Sequence, residues 1–337
     1  MLERVRATTK QVTGRVLTRR RDQIGPTPSD TNALADAVAH RIVLETMLRE
    51  PLAGKSLLEV FRDSSDPFWF WILTEGARRS SVVRSLIPAM PEPGVQLQYT
   101  GSSGDAALRE AFTCYLLFRE MYATHVGPIE ECPALLDFGC GWGRILRFFL
   151  KDLEPSQLWA ADPSEAMIEF CRSTFPGGHF EHIDPLPPGP FPDESFNLIY
   201  AYSVFSHLSE DMHHRCLTEL TRILRPGGLL VATTRPRSFI QHCAAMRKHK
   251  DLSTVHAGPR RSAAAFPDPA KALGDYDAGR YCYSQLVFEG PWSYWGEAAI
   301  PQDYVAKNWT RHLAFVDYID DRERCAQNAI VMQKPGG

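Results

Sequence analysis

The sequence predicts an α/β fold built on a doubly wound, mostly parallel sheet, and three observations lead to that prediction. Short apolar runs alternate with amphipathic helical stretches between residues 134 and 234. A glycine-rich turn over residues 139–143 follows the first of these runs. Asp137 and Asp162 stand at the ends of the first two expected strands. Because ligands of open α/β sheets bind at the carboxyl ends of the strands, we expect the functional site at this edge.

The first expected strand ends at Leu135 and Leu136, and an apolar helical pattern resumes over residues 144–150. Glycines between them let a ligand approach the main chain, and the N–H groups that open a helix point into that gap. The spacing G-x-G-x-G differs from the dinucleotide fingerprint, which needs a glycine where Arg144 stands. Asp137 would repel a pyrophosphate but suits a cationic ligand, such as the ammonium of a methionine moiety. An ordinary glycine-rich connection is the alternative.

The second expected strand covers residues 158–161 and is followed by a helix with apolar residues at helical spacing. Asp162 lies about twenty residues beyond the glycine turn, where an acid can accept hydrogen bonds from two ribose hydroxyls. The alternative is an acid that interacts with the dipole at the helix N-terminus.

Residues 196–202 form a further expected strand, and an amphipathic helix begins after it at Ser209. The helix stops at the Arg-Pro-Gly-Gly sequence of residues 225–228, and residues 229–233 form the next strand. Residues 313–319 and 328–333 are typical of a terminal hairpin. Strands and helices that alternate in this way indicate a parallel, doubly wound sheet.

Four motifs in this order resemble the class I S-adenosylmethionine-dependent methyltransferases, in particular bacterial methyltransferase domains that act on small molecules or glycans. The motifs are Leu-Asp-Phe-Gly-Cys-Gly-Trp-Gly-Arg, Ala-Asp-Pro-Ser, Tyr-Ser-Val-Phe-Ser-His-Leu and Leu-Arg-Pro-Gly-Gly-Leu, within residues 130–235. The resemblance implies a Rossmann-like, seven-stranded sheet with a terminal antiparallel hairpin. It also implies S-adenosyl-L-methionine as the cofactor and methyl transfer as the reaction.

The resemblance also implies the residues of the cofactor site. The glycine turn would line the methionine side, Gly143 would let the following helix pack closely, and Asp162 would hold the ribose. The adenine would lie near residues 182–184, where Asp184 or backbone groups alone would contact it, because Ile183 stands where relatives carry Asn or Asp. The expected cofactor-binding residues are Tyr99, Asp137, Gly139, Cys140, Gly141, Gly143, Asp162, Pro163, Asp184 and Tyr202.

His207 is the catalytic candidate. A sulfonium is an activated leaving group, so methyl transfer requires mostly alignment of the nucleophile, the methyl group and the sulfur. An alcohol or phenol must also lose a proton to a base, and histidine, with an ordinary pKa of about 6.5, suits that task. The alternative is a structural histidine that bonds nearby backbone or caps the next helix. Ser206 is an expected acceptor contact.

Residues 235–310 are too many for a simple crossover and are expected to form a substrate-side insertion or lid. The second half of this region is rich in aromatic residues, among them Trp295, and Glu297 follows directly. Aromatic rings beside a carboxylate can stack on a sugar and bond its hydroxyls, which makes Trp295 and Glu297 expected substrate contacts. The alternative is that the aromatic side chains only cover the edge of the sheet.

Residues 1–95 are expected to form a basic segment and a helical extension, and residues 96–337 the methyltransferase domain. The first 21 residues carry a net charge of +6 in a chain whose net charge is −3. They would make either a weak membrane-surface contact or a solvated tail. The sequence shows neither a signal peptide nor an apolar run of spanning length, and a cytoplasmic location is expected.

The expected function is methyl transfer to a small-molecule or glycan acceptor, at oxygen. The eight cysteines form no C-x-x-C pair, so no metal site is expected, and the mild acidity argues against a nucleic-acid partner. A nicotinamide-dependent oxidoreductase and a non-catalytic scaffold are the alternatives. The missing third glycine opposes the former, and the intact acids and glycines of the cofactor motif oppose the latter.

Overall fold

The computed structural model describes residues 56–175, 177–248, 257–286, 294–311 and 313–336. The basic segment over residues 1–21 therefore lies outside the described residues, and its membrane contact stays a prediction. The chain divides into two compact units between Ile87 and Pro88. In the part of the chain that the structure describes, no helix combines the length and the apolar character needed to cross a membrane.

Short helices and aromatic side chains make up the described part of the first unit. Ser56 and Ser65 each accept a hydrogen bond from the backbone N–H three residues ahead and so cap the first two helices. Phe61 packs on Trp69 with ring centroids 5.2 Å apart, and both side chains are buried. The elements are α1 (Leu57–Phe61), α2 (Asp66–Trp71), a π-helical turn (Ile72–Gly76), α3 (Ala77–Arg79) and α4 (Ser81–Leu86).

The second unit is organised by a sheet of seven strands. The strands of this unit are β1 (Leu135–Phe138), β2 (Leu158–Asp162), β3 (His179–His182), β4 (Phe196–Ala201), β5 (Leu224–Thr234), β6 (Cys282–Gln285), β7 (Gly296–Ala299), β8 (Ala314–Ile319) and β9 (Asn328–Gln333). The sheet order is β3-β2-β1-β4-β5-β9-β8, and β6 pairs with β7 in a separate hairpin. The first five strands are parallel, and β9 runs antiparallel to both β5 and β8. The predicted fold class, with its terminal antiparallel hairpin, is confirmed.

Helices cover this sheet, and the side chains between them form its core. The helices are α5 (Pro93–Thr100), α6 (Asp105–His125), α7 (Glu165–Thr174), α8 (Glu210–Ile223), α9 (Arg237–Met246), α10 (Ala257–Ala264), α11 (Pro269–Asp277) and α12 (Gln302–Asn308). Ser209 caps α8, whose buried residues include the predicted apolar face. After the glycine turn, Leu146–Lys151 forms a 3₁₀ helix, which is tighter than the expected α-helical pattern.

The insertion over residues 235–310 contributes a second small core and is fastened to the loop that follows β4. The amide N–H of Gly296 donates to the carbonyl of His207 and that of Ala298 to the carbonyl of Ser206, both at 2.7 Å. A further bridge pairs Leu208 with Trp295. The described residues 295–298 therefore run beside the loop that carries His207 and are hydrogen-bonded to it. Its core side chains are Ile240, Cys243, Ala265, Phe266, Cys282, Leu286 and Ala299.

Candidate active site

A cavity of about 1080 Å³ opens where β1, β2 and β4 end. Most of the residues that the sequence analysis predicts for the site line this cavity, although they come from segments that are far apart in the chain. The predicted residues in the wall are Tyr99, Asp137, Gly139, Cys140, Gly141, Asp162, Pro163, Tyr202, His207, Trp295 and Glu297.

The glycine turn keeps its backbone close to the floor of the cavity. Gly139 has φ +80°, and a Cβ there would lie 2.4 Å from the Cγ2 atom of Val204, so no larger residue fits without displacing that side chain. The amide of Gly139 donates to the carbonyl of Ala161 at 2.8 Å, which ties the turn to the end of β2. Gly143 lies outside the cavity wall, because it faces the Phe175 ring, 2.8 Å from the position of a Cβ. Gly143 is thus a packing position.

Asp162 joins the turn to the start of α7. Its two carboxylate oxygens accept hydrogen bonds from the backbone N–H groups of Gly141 and Ser164, each at 2.8 Å. Burial raises the pKa of Asp162, and the two N–H groups oppose that shift. Each carboxylate oxygen can accept a second hydrogen bond, so Asp162 can bind two hydroxyl groups of a ligand while it still holds the turn. The hydroxyl of Tyr99 lies 2.8 Å from the Oγ of the same Ser164.

Asp137 is a carboxyl group whose pKa lies close to neutral pH. Its side chain is buried at the end of β1, and this burial raises its pKa to about 8. A cation that entered the cavity beside Asp137 would favour the ionised form and would expel the proton. Asp137 is therefore suited to a positively charged group of a ligand.

His207 presents a proton-accepting nitrogen to the cavity. Its Nδ1 lies 2.8 Å from the carbonyl oxygen of Gly296, which can only accept, so the neutral imidazole carries its hydrogen on Nδ1. The lone pair is then on Nε2, 3.4 Å from the Oγ of Ser203. The Trp295 ring stacks on the imidazole with centroids 4.7 Å apart and an interplanar angle of 12°. The ring of His207 is thus fixed on one face by Trp295 and at Nδ1 by the Gly296 carbonyl, and its Nε2 is within hydrogen-bonding distance of the Ser203 hydroxyl.

Ser203 lines the cavity in place of the predicted Ser206, which the structure buries beneath the loop, 3.2 Å from the Oγ of Ser203. Ser203 adopts φ +61°, a left-handed conformation that costs free energy in a non-glycine residue. The backbone N–H of Ser203 donates to the hydroxyl of Thr233 at 2.8 Å, and the side-chain amide of Gln327 donates to the Oγ of Ser203 at 2.9 Å. Sequence reasoning missed Ser203 and Gln327, since no local pattern separates Ser203 from Ser206.

Two ion pairs that the sequence did not reveal complete the wall. Arg235 donates from Nε to Glu297 at 2.8 Å, and Arg144 donates from Nη2 to Glu110 at 3.0 Å. The Tyr202 hydroxyl also donates to Glu110, at 2.5 Å. Among the described side chains of the wall, both Arg235 and Arg144 therefore have a carboxylate partner inside the wall itself.

Asp184 is the remaining predicted residue that lies outside the wall. Its carboxylate accepts a hydrogen bond from the amide of Leu186 at 2.8 Å and is used in that local turn. Ile183 and Pro185, the residues on either side, line the cavity instead. They offer an apolar surface where a ligand ring would lie.

Comparison with known proteins gives a family match and partial relatives. Residues 135–228 match the family model described as a methyltransferase domain. The chain is 28% identical over 179 residues to a phthiotriol/phenolphthiotriol dimycocerosates methyltransferase of Mycobacterium ulcerans, which covers 51% of this chain and 61% of that protein. It is 33% identical over 113 residues to a malonyl-[acyl-carrier protein] O-methyltransferase of Methylococcus capsulatus, which covers 33% of this chain and 39% of that protein.

These matches cover part of each protein, since the chain spans 61% or less of the length of these two curated relatives. A trans-aconitate 2-methyltransferase of Methylobacterium radiotolerans is 31% identical over 146 residues, 43% of this chain and 52% of that protein. Among solved structures, an S-adenosylmethionine-dependent methyltransferase from Clostridium acetobutylicum is 13% identical with a TM-score of 0.44, over 67% of this chain and 92% of that one.

Proposed function

We propose that this chain, whose residues 135–228 match a methyltransferase domain model, transfers the methyl group of S-adenosylmethionine to an oxygen atom of a small-molecule or glycan acceptor. One observation carries the proposal. The wall of one cavity contains Asp162 and the glycine turn together with His207, whose ring is oriented by the Gly296 carbonyl. The names of the partial relatives, which include malonyl-[acyl-carrier protein] and trans-aconitate methyltransferases, support a small-molecule acceptor.

The residues of the cavity fit this cofactor. Asp162 would accept the ribose hydroxyls, Asp137 would face the ammonium of the methionine part, and Ile183 would lie against the adenine. The absence of a Cβ at Gly139 makes room for Val204, and the backbone of the glycine turn, which lines the cavity, would contact the methionine part. When bound, S-adenosylmethionine supplies a methyl group on a positively charged sulfur.

His207 would act as the general base. An acceptor hydroxyl that donates to Nε2 would lose its proton to the imidazole as the carbon–oxygen bond forms. The carbonyl of Gly296 keeps the Nδ1 hydrogen in place and so holds the imidazole in one tautomer. Alignment of the hydroxyl oxygen with the methyl group would supply the rest of the rate enhancement.

Calorimetry with S-adenosylmethionine and S-adenosylhomocysteine tests the proposal. We expect one binding site for each, no binding of a reduced nicotinamide, and transfer of labelled methyl to a hydroxyl compound in an acceptor screen. A folded sample that binds neither methionine derivative would contradict the proposal and favour a non-catalytic scaffold. If the protein binds the cofactor but transfers the methyl group to no hydroxyl compound, the proposal that oxygen is the acceptor atom is contradicted.

The affinity for S-adenosylhomocysteine should depend on pH through Asp137. Below about pH 8 the carboxyl of the free protein is mostly protonated, and the ammonium group of the ligand must displace that proton. Affinity should therefore rise nearly tenfold between pH 6 and pH 7, while the ligand ammonium, with a pKa of about 8, stays mostly charged. Calorimetry in two buffers of different ionisation enthalpy should also detect proton release. Asp137→Asn should bind more weakly and lose this pH dependence, and an unchanged slope in Asp137→Asn would assign it to another group.

A further inference from the structure

We propose that Glu297 restricts the acceptor to uncharged hydroxyl compounds by neutralising Arg235. This proposal rests on the proposed function, because it concerns the acceptor half of the same cavity. Arg235 follows the last residue of β5, Glu297 lies in β7, and both line the cavity beside His207.

The guanidinium of Arg235 is fixed against Glu297. Its Nε lies 2.8 Å from Oε2 and its Nη2 lies 3.5 Å from Oε1, so the fork of donors faces a carboxylate of the protein itself. The guanidinium also lies over the Phe239 ring, 4.4 Å from the centroid. A carboxylate substrate would need the same donor fork, because paired N–H groups are what bind carboxylates strongly.

The second arginine of the wall is held in the same way. Arg144 donates to Glu110, which also accepts from Tyr202. A carboxylate acceptor would therefore bring a negative charge into a partly buried wall in which the two described arginines are already neutralised. Removing such a charge from water is costly unless a new partner replaces the water.

For an uncharged hydroxyl compound, the wall offers polar groups that carry no net charge. His207 offers the Nε2 lone pair, and Ser203 and Gln327 offer hydrogen-bonding groups without net charge. The oxygen of an alcohol, a phenol or a sugar can donate to Nε2 and enter without a counter-ion. The polar groups of this wall thus match the hydroxyl class of acceptor.

The test uses two probes of nearly equal shape, 4-hydroxybenzoate and 4-hydroxybenzyl alcohol. They are titrated by calorimetry into the wild-type protein and Glu297→Gln, both saturated with S-adenosylhomocysteine, whose sulfur carries no charge. Glutamine keeps the size of the side chain and removes the charge that neutralises Arg235. We expect Glu297→Gln to bind 4-hydroxybenzoate at least about tenfold more tightly than the wild type does. The affinity for 4-hydroxybenzyl alcohol should change by less than about twofold.

The double variant Glu297→Gln, Arg235→Gln is the matched control and should lose the gain. Equal binding of 4-hydroxybenzoate by the wild type and Glu297→Gln, or no binding to either, would overturn the proposal. An equal gain for the alcohol would also overturn it, because the effect would then not depend on charge. Failure of the proposed function would be seen separately, as loss of S-adenosylhomocysteine binding in the wild type before any probe is added.

Discussion

Replacing His207 with alanine is expected to slow methyl transfer about 10²–10⁴-fold, the range for loss of a general base. The affinity for S-adenosylhomocysteine should stay nearly unchanged, because we propose that Asp137 and Asp162, and not His207, bind the cofactor. The expectation follows from the orientation of the ring, whose Nδ1 hydrogen faces Gly296 and whose Nε2 is the nitrogen that can accept a proton. Single-turnover transfer of labelled methyl to the acceptor found by screening measures the rate of the chemical step.

Two further variants separate a base from a structural histidine. His207→Gln can still donate to the Gly296 carbonyl but cannot take up a proton, so it should be as slow as the alanine variant. His214→Ala is the matched control, because His214 bonds the Tyr304 hydroxyl at 2.9 Å and does not line the cavity. A wild-type rate in His207→Ala would leave alignment alone as the mechanism. Full recovery in His207→Gln would make His207 a positioning residue.

The sheet could be predicted from the sequence because its elements are locally encoded. Strands β1, β2 and β4 are short apolar runs, and Asp137 and Asp162 lie at or next to the last residue of their strands. β3, with the sequence His-Phe-Glu-His, lacks such a run, and β5 begins at Leu224, before the segment that was expected to end the helix. The strand expected over residues 328–333 is observed as Asn328–Gln333. Asp162 reaches the cavity for the same reason, since the end of a parallel strand determines where the next side chain lies.

The contacts of His207 could not be predicted, because they join segments that are distant in sequence. The Gly296 carbonyl that fixes its tautomer is 89 residues away, and Glu297 pairs with Arg235 across 62 residues. Both depend on how the insertion folds back along the loop after β4. Trp295 and Glu297 were expected to contact substrate because aromatic rings beside a carboxylate suit a sugar. Both line the cavity, and the structure adds contacts that the sequence did not reveal: Trp295 stacks on His207, and Glu297 pairs with Arg235.

Choices between neighbouring residues also lay beyond the sequence. Ser203 and Ser206 are the same residue type in one loop, and the positive φ of Ser203 accompanies the exposure of its hydroxyl to the cavity. Asp184 has the chemistry for an adenine contact, but its carboxylate is used by the amide of Leu186. Such outcomes depend on single backbone dihedral angles, which residue type constrains only weakly.

Asp162→Ala is expected to weaken S-adenosylhomocysteine binding by about 1.5–3 kcal/mol, or about 10–150-fold, the range for hydrogen bonds to a charged group. The structure gives this loss two origins. The ribose would lose its acceptor, and the amides of Gly141 and Ser164 would lose the carboxylate that now accepts from both. Calorimetry measures the total, and thermal unfolding of the cofactor-free protein measures the contribution of the turn.

Glu165→Ala is the matched control, because Glu165 is an exposed acid in the first turn of α7, three residues from Asp162. Its removal should leave the affinity nearly unchanged, which would exclude a general effect of negative charge at this helix terminus. Unchanged affinity in Asp162→Ala would remove Asp162 from the ribose site. A lower unfolding temperature without a change in affinity would instead make Asp162 a support of the glycine turn. If Asp162→Ala binds more weakly but unfolds at the wild-type temperature, the whole effect belongs to the lost ligand contact. Loss of the hydrogen bonds within the turn would also lower the stability of the cofactor-free protein.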